Sequence, residues 1–479
     1  MMLEQFSYNY ACPLRWRTVS VIEPATQQVL VDLQLANIID VANAAERSAA
    51  AQAGWAALPF NHRAKILRKA AELLKEREEL FNSWNIRECG STMTKAAWEL
   101  EASYEHLHSA AGLAGQPHGT IIPSSTTGRL NLCTRVPVGV VGVITPWNYP
   151  LLLAIRSVAP ALALGNSVLL KPAIQGSCCG GLLISQLFRD AGMPEDVFQV
   201  LPGEADVGDA LVRDTNVNMI SFTGSTAVGR SIGSICGGLL KKVALELGGN
   251  NAFIVLEDAD IETAASHGAW GAFLHQGQIC MQAGRHLVHA SVMEAYANAL
   301  ASHAKALVAG NPYVDNVHLG PLISDQQYQR VNSIVQASIA QGAVMRAGGP
   351  GPGLIYNATV LTGISQNMPA FTEEVFGPVA PILPFDTDDE LIQIVNSSPY
   401  GLAAGIHTAN ISRGMSIAAR IKTGMVHIND QPVNAEHNVP FGGMGASGSG
   451  GRFGGPANAE EFTQSQWVSL SAKPGAYPF

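Results

Sequence analysis

The sequence predicts an α/β protein in which parallel sheets are covered by helices, with more than one large unit and a small strand-rich arm. Three observations carry this. At 479 residues, 47% hydrophobic and 14% charged, the chain can bury a large core and is too long for one. From Val138 onward, short apolar runs alternate with longer helical patterns, as in a parallel sheet covered on both faces. Before that, residues 120–135 alternate polar and apolar side chains, several of them β-branched, and read as strands.

The elements follow in order. Residues 37–56 and 61–81 carry Ala, Leu, Ile and Trp at helical spacing, with Asn37 and Asn61 as expected N-caps. Residues 94–114 continue the helical character. Then come strands at 138–145, 167–171, 197–201, 219–222 and 242–247, separated by helices at 151–164, 177–191, 206–213 and 226–236. Ligands of such sheets sit beyond the carboxyl ends of the strands. Pro146-Trp147-Asn148, Lys171-Pro172 and Thr223-Gly224-Ser225 all fall there. A second α/β stretch runs from Asn251 to about His427, opening with a strand at 252–256 and a helix at 261–276. That places Cys280 in the loop after a helix. The Gly-rich segment 442–455 reads as a loop before a strand at 466–471. The expected division is 1–116 with 137–246, then 247–430, with 117–136 and 431–479 as arm and C-terminal segment.

Composition excludes several function classes. The net charge is −9 and no basic block occurs, which argues against a nucleic-acid partner. Seven cysteines without a CxxC pair argue against structural disulfides and zinc clusters, so no metal is expected and a reducing cytoplasm is. Cys178-Cys179, flanked by Gly and Ser, reads as close helix–sheet packing. Met1 to Phe6 lacks the pattern of a signal peptide. The most apolar stretch, 151–170, is interrupted by Arg156, Pro160, Gly165 and Asn166, so no membrane span is expected.

The chemistry centres on Phe273-Leu274-His275-Gln276-Gly277-Gln278-Ile279-Cys280 and on Leu245-Glu246-Leu247-Gly248-Gly249. A thiol and a carboxylate suit covalent catalysis: the sulfur attacks a carbonyl and the carboxylate later takes a proton from water. Taken singly, they read equally as a core thiol and a strand end. Thr223 to Gly229 follows a strand and opens a helix, where backbone N–H groups bind phosphate; the bland reading is a Gly-Ser turn. The GxGxxG at 443–448 lacks the flanking strand and helix and is rejected as a cofactor fingerprint. Asn148 ends a strand where its amide can donate to an oxyanion, or it is a turn residue. Lys171 and one of Glu373-Glu374 suit ribose hydroxyls, or are solvated strand-end and loop charges.

Together, Pro146-Trp147-Asn148, Phe222-Thr223-Gly224-Ser225, Leu245 to Gly249, Gln276 to Cys280, Glu374-Val375-Phe376-Gly377-Pro378 and Pro440-Phe441-Gly442-Gly443 resemble the aldehyde dehydrogenase superfamily, in the family's order over nearly the whole chain. Residues 273–280, His427 to Gln431 and Tyr477-Pro478-Phe479 look most like its bacterial NAD-dependent benzaldehyde dehydrogenases. The resemblance implies a Rossmann-like cofactor domain, an α/β catalytic domain and a small β oligomerisation arm. It implies Cys280 as nucleophile, Asn148 with the Cys280 N–H as oxyanion hole, and Glu246 as the base for thioester hydrolysis. Presence of Glu246 favours hydrolysis over transfer to coenzyme A. The implied NAD-binding set is Thr145, Pro146, Trp147, Lys171, Thr223, Gly224, Ser225, Val228, Leu247, Glu374 and Phe376.

Two departures stand out. Ile174 replaces a glutamate that in many NAD-using members binds the adenosine ribose, which removes a repulsion against a 2′-phosphate and admits NADP. Residues 452–456 contain no acid where many relatives carry a proton-relaying glutamate. Tyr149, Leu152, Ile279, Met281 and Phe441 neighbour the catalytic motifs and form the expected substrate pocket, or equally core packing. The expected function is NAD-dependent oxidation of a benzaldehyde-like aromatic aldehyde by a homodimer or homotetramer. Vanillin or salicylaldehyde is the near alternative, and a non-catalytic dinucleotide-binding scaffold is the alternative of another class.

Overall fold

A computed structural model describes residues 17–116 and 119–479; the sequence readings at Met1 to Phe6 and Cys12 lie outside them. The described chain opens with an antiparallel hairpin, β1 (Arg17–Ile22) and β2 (Val29–Leu35). Helix α1 (Ile38–Ala57) starts at a reciprocal cap. The Asn37 side chain accepts from the N–H groups of Ile39 and Asp40, and the Asp40 carboxylate accepts from the Asn37 N–H.

The second helical expectation needs correction. Asn61 is not a cap: α2 (Phe60–Glu76) begins directly after Pro59. Proline fixes φ and has no N–H to leave unpaired, so the helix starts beside it. The 61–81 pattern is also split at Arg77 (φ −108°, ψ 22°), after which α3 (Glu78–Cys89) begins. Helix α4 (Met93–Leu113) is capped by Thr92. The arm follows as β3 (Gly119–Ile122) and β4 (Arg129–Pro137).

The first parallel sheet alternates as read: β5 (Val140–Ile144), α5 (Pro150–Ala163), β6 (Ser167–Lys171), α6 (Leu183–Asp190), β7 (Phe198–Val200), α7 (Ala205–Arg213), β8 (Met219–Thr223), α8 (Thr226–Gly238) and β9 (Lys242–Glu246). Its spatial order is β7-β6-β5-β8-β9. A π turn at Cys178–Leu182 precedes α6, where a side chain on Gly180 would strike the Pro150 carbonyl.

The second unit contains β10 (Ala252–Val255), α9 (Ile261–Phe273), β11 (Arg285–His289), α10 (Met293–Ala306), α11 (Asp325–Ala340), β12 (Val344–Pro350), β13 (Tyr356–Thr362), β14 (Val379–Phe385), β15 (Tyr400–Gly401), β16 (Ala403–His407) and β17 (Met425–Ile428). Seven of these strands form a sheet in the order β12-β13-β14-β11-β10-β16-β17, antiparallel only at β12–β13. The short β18 (Met444–Gly445) pairs with β15. The last strand, β19 (Thr463–Ser471), runs antiparallel to β4, giving the sheet β19-β4-β3. Another correction concerns α9, which stops at Phe273. Leu274–Gly277 forms a 3-10 turn in which His275 and Gln276 take φ of 49° and 56°. Positive φ is costly for such residues, and the Gln276 amide repays part of it by donating to the carbonyls of Gly90 and Pro321.

No helix among the described residues is long and apolar enough to cross a membrane.

A buried ion pair anchors the start of α5. Lys95 Nζ lies 2.5 Å from Glu99 Oε2, with the two side chains 1% and 0% exposed. The other Glu99 oxygen accepts from the N–H groups of Leu151 and Leu152 at 2.9 and 3.0 Å, satisfying first-turn donors of α5. Lys95 Nζ also sits 4.2 Å from the centre of the Tyr149 ring. Lys95→Met leaves Glu99 as an uncompensated buried charge and is expected to cost about 3–5 kcal/mol in denaturant unfolding. A loss below about 1 kcal/mol would contradict this account of the pair.

Candidate active site

Cys280 lies between α9 and β11, on a loop fastened by amide side chains. Asn251 Nδ2 donates to the carbonyls of Cys280 and Gln282, both at 2.8 Å, while its Oδ1 accepts from the Ala403 N–H. Gln278 Oε1 accepts from the Ile323 N–H at 3.0 Å. Gln282 Nε2 donates to the carbonyls of Ala272 and Gly377. The loop is thus tied to both its own sheet and the neighbouring loops.

Asn148, buried just before α5, donates through Nδ2 to the Gln278 carbonyl at 2.9 Å. A primary amide has two N–H groups, so one is engaged and the second remains for a ligand. Glu246 ends β9, paired in register with Thr223. Its two carboxylate oxygens are buried and have no hydrogen-bond partner. Burial pushes its pKa up to about 7, against the opposing pull of the Arg156 charge and the Cys280 thiol. The Cys280 thiol is itself held well above the ordinary range, by burial first and the Glu246 charge second. The resting pair is therefore a protonated sulfur beside a carboxylate poised to take its proton.

Tyr149, Leu152, Ile279, Met281 and Phe441 belong to one buried apolar cluster, and Cys280 packs against it. Leu153, Leu402 and Ala403 complete the cluster and were not read from the sequence, where nothing sets them apart from ordinary core residues.

On the other side lies a cleft of about 360 Å³ at the carboxyl ends of β5, β6 and β8. Thr145, Pro146, Lys171, Thr223, Gly224, Ser225 and Val228 line it. Ser225 caps α8, its hydroxyl accepting from the Val228 N–H. A Cβ on Gly224 would lie 2.5 Å from the tip of the Phe222 ring, so a larger residue there would displace that ring. The Lys171 ammonium is pushed down to about 8 by burial, with Asp206 working against the shift.

The remaining predicted cofactor residues sit apart from this lining. Trp147 and Phe376 meet edge-on, ring centres 5.7 Å apart, and Phe376 has a φ of 53°. Its loop is held by α11: Gln327 donates to the Phe376 carbonyl, and Arg330 to those of Glu374 and Val375. The Glu374 carboxylate accepts from the Gly249 N–H at 2.8 Å, and burial raises it to about 7. Leu247 packs in a buried cluster with Ile144, Phe222 and Ile232. Ile174 likewise packs against the core.

Sequence reasoning missed Arg156, Asn251, Gln278 and Gln282. Arg156 had a signal, a charge inside an apolar helix; the amides had none, because their role is to hold backbone far away in sequence.

A thiol, a neighbouring buried carboxylate and a free amide N–H beside a buried apolar cluster can form a thioester and hydrolyse it. The aldehyde dehydrogenase family pattern matches residues 14–468. A benzaldehyde dehydrogenase [NAD(+)] of Pseudomonas putida is 58% identical over 474 residues, covering 99% of this chain and 97% of that one. A vanillin dehydrogenase of an Amycolatopsis species is 50% identical, covering 96% and 95%. Among solved structures, a salicylaldehyde dehydrogenase from Pseudomonas putida G7 complexed with salicylaldehyde superposes with a TM-score of 0.94 at 32% identity, covering 97% and 96%. A betaine aldehyde dehydrogenase from Staphylococcus aureus in complex with NAD+ gives 0.93 at 31%, covering 96% and 92%. With a match along nearly its whole length, the chain belongs to the aldehyde dehydrogenase family.

Proposed function

We propose that the chain oxidises aromatic aldehydes, benzaldehyde foremost, to carboxylic acids with NAD. The observation that carries this is the grouping of Cys280, the buried Glu246 carboxylate and the Asn148 amide beside a buried apolar cluster. The 58% identity to a benzaldehyde dehydrogenase [NAD(+)] supports the substrate class. Vanillin and salicylaldehyde remain the second reading, favoured by the names of other relatives.

The cleft fits a dinucleotide. It pairs the N-terminus of α8 with a glycine that admits close backbone approach, a lysine, and a buried Thr145 hydroxyl without a partner. Bound there, NAD supplies the hydride acceptor. Glu374, fastened by Gly249, would accept from ribose hydroxyls, and Trp147 and Phe376 would wall the nicotinamide end. With Ile174 turned into the core, no carboxylate at that position repels a 2′-phosphate.

The reaction then follows from the chain's own groups. The aldehyde ring enters the apolar cluster and its carbonyl carbon meets Cys280 Sγ, whose proton passes to Glu246. The resulting alkoxide is held by the second Asn148 N–H and the Cys280 backbone N–H. Loss of hydride leaves a thioester on Cys280. Glu246, once the thiol's proton has been released to solvent, takes a proton from water, the water oxygen bonds to the acyl carbon, and the carbon–sulfur bond breaks with its electron pair going to Sγ.

We also infer the division into 1–116 with 137–246, 247–430, and an arm of 117–136 with 431–479 that joins subunits. The arm's exposed Ile121, Leu130, Trp467 and Leu470 support this role. The six described cysteines are all free, in keeping with a reducing cytoplasm.

The first test is NADH formation with benzaldehyde, vanillin, salicylaldehyde and an aliphatic aldehyde, each repeated with NADP. Cys280→Ala is expected to abolish turnover. A folded wild-type protein that binds NAD but oxidises none of these aldehydes would leave only the scaffold reading.

A second test uses pH. The base works as its anion, so turnover is expected to fall as pH drops through about 7, the value at which Glu246 takes up a proton. Glu246→Gln should lose that limb and about 100-fold or more of steady-state rate, and should also slow first-turnover NADH formation, because the same carboxylate takes the Cys280 proton. Absence of both effects would remove Glu246 from the role. Asn148→Ala is expected to lower kcat by about 100- to 1,000-fold, read in the same assay.

A further inference from the structure

Every residue of α5 is buried, and Arg156 is its one charged side chain. Among the described residues, no carboxylate comes within ion-pair distance of the guanidinium. Nη2 donates to the Thr223 hydroxyl at a long 3.3 Å, and Nε has no partner. The group is sandwiched between Phe441 and Phe453, with Cζ 4.7 Å from each ring centre. Burying a cation so sparsely bonded is costly. A methionine of similar length would serve the apolar helix equally well.

What the charge faces explains it. Thr223, which takes the guanidinium's hydrogen bond, is the register partner of Glu246 on the neighbouring strand. Glu246 in turn has two buried oxygens without partners. The buried cation thus bonds the hydroxyl of the residue whose backbone is paired with that of the buried anion, and each charge is short of partners. Phe453, in the acid-free segment 452–456, fills the other side of the guanidinium, so no second carboxylate from that segment competes for it.

We propose that Arg156 is a positioning residue for thioester hydrolysis, keeping Glu246 ionised and available to water beside Cys280. The proposal rests on the reading of Glu246 as the hydrolytic base. In the step itself the water oxygen bonds to the acyl carbon, the carbon–sulfur pair goes to Sγ, and the water proton goes to Glu246. Arg156 gives up no proton. The other charged or titratable groups facing Glu246 are Cys280, Arg452 and Glu374. Arg156 also faces His106, which burial and then Arg156 hold down to about 3, and beyond it His437; a neutral imidazole leaves the Arg156 charge directed at Glu246. Among the influences on Glu246, Arg156 is the largest that opposes burial.

The experiment follows hydrolysis of p-nitrophenyl acetate by the cofactor-free enzyme, which reads breakdown of the acyl-enzyme without hydride transfer. Wild type, Arg156→Met, Arg156→Lys and Glu246→Gln are compared from about pH 6 to 9. Removing the cation destabilises the carboxylate anion, so Arg156→Met should move the acid limb upward by about one pH unit or more. It should also slow hydrolysis about 10-fold at neutral pH, with the initial nitrophenolate burst kept. Arg156→Lys, which keeps the charge, should hold the limb near the wild-type position.

A folded Arg156→Met with an unmoved limb overturns the proposal, as does loss of folding in Arg156→Met and Arg156→Gln with Arg156→Lys folded, which would make the role structural. Glu246→Gln hydrolysing the ester like wild type would sink the reading of Glu246 and this inference with it. Failure of benzaldehyde oxidation alone, with the ester results as expected, would touch only the substrate assignment.

Discussion

Five residues, 247–251, join the last strand of one sheet to the central region of the other, and the site depends on this passage. Glu246 ends β9 immediately before it and β10 begins immediately after. Within it, Gly249 fastens the Glu374 carboxylate and Asn251 fastens the carbonyls on either side of the nucleophile loop. Glu246, the Cys280 loop and Glu374 are therefore indexed to one short piece of backbone. Because both flanking strands are buried in their sheets, neither end of the passage moves without disturbing a core.

Desolvation gives the site its chemistry. Glu246 and Glu374 both sit near 7 chiefly because water has been removed from around them, with the Glu374 charge adding a lesser upward push on Glu246. The same burial raises the Cys280 thiol. The arrangement avoids a permanently ionised nucleophile and instead matches the base to neutral pH. Strained backbone accompanies this: His275, Gln276 and Phe376 all have positive φ, with the Gln276 amide donating to the Gly90 and Pro321 carbonyls and Gln327 donating to the Phe376 carbonyl.

Much of the architecture was legible in the chain. The strand–helix alternation from 138 to 247 works as a signal because each buried parallel strand must be apolar on both faces, and its elements lie within a few residues of their expected positions. Asn37 was readable as a cap because the Asn–Asp pair is a local device; Asn61 misled because Pro59, two residues earlier, decides the helix start. The end of α9 was misplaced because the constraint that halts it, the Gln276 amide reaching Gly90 and Pro321, is not local. Cys280, Glu246 and Asn148 stood out through their neighbours in sequence, whereas Asn251, Gln278 and Gln282 act on distant backbone and leave no pattern.

The pairing of β19 with β4 reaches across 332 residues at Thr134 and Gln466. During synthesis β4 emerges early and its partner last, so for most of translation the arm is a two-stranded ribbon with an open, partly apolar edge. The two large sheets contain all their strands before β19 exists. Completion of the arm is thus the final contact of long sequence separation that the chain makes, and until then the edge is the surface most open to capture by another nascent chain.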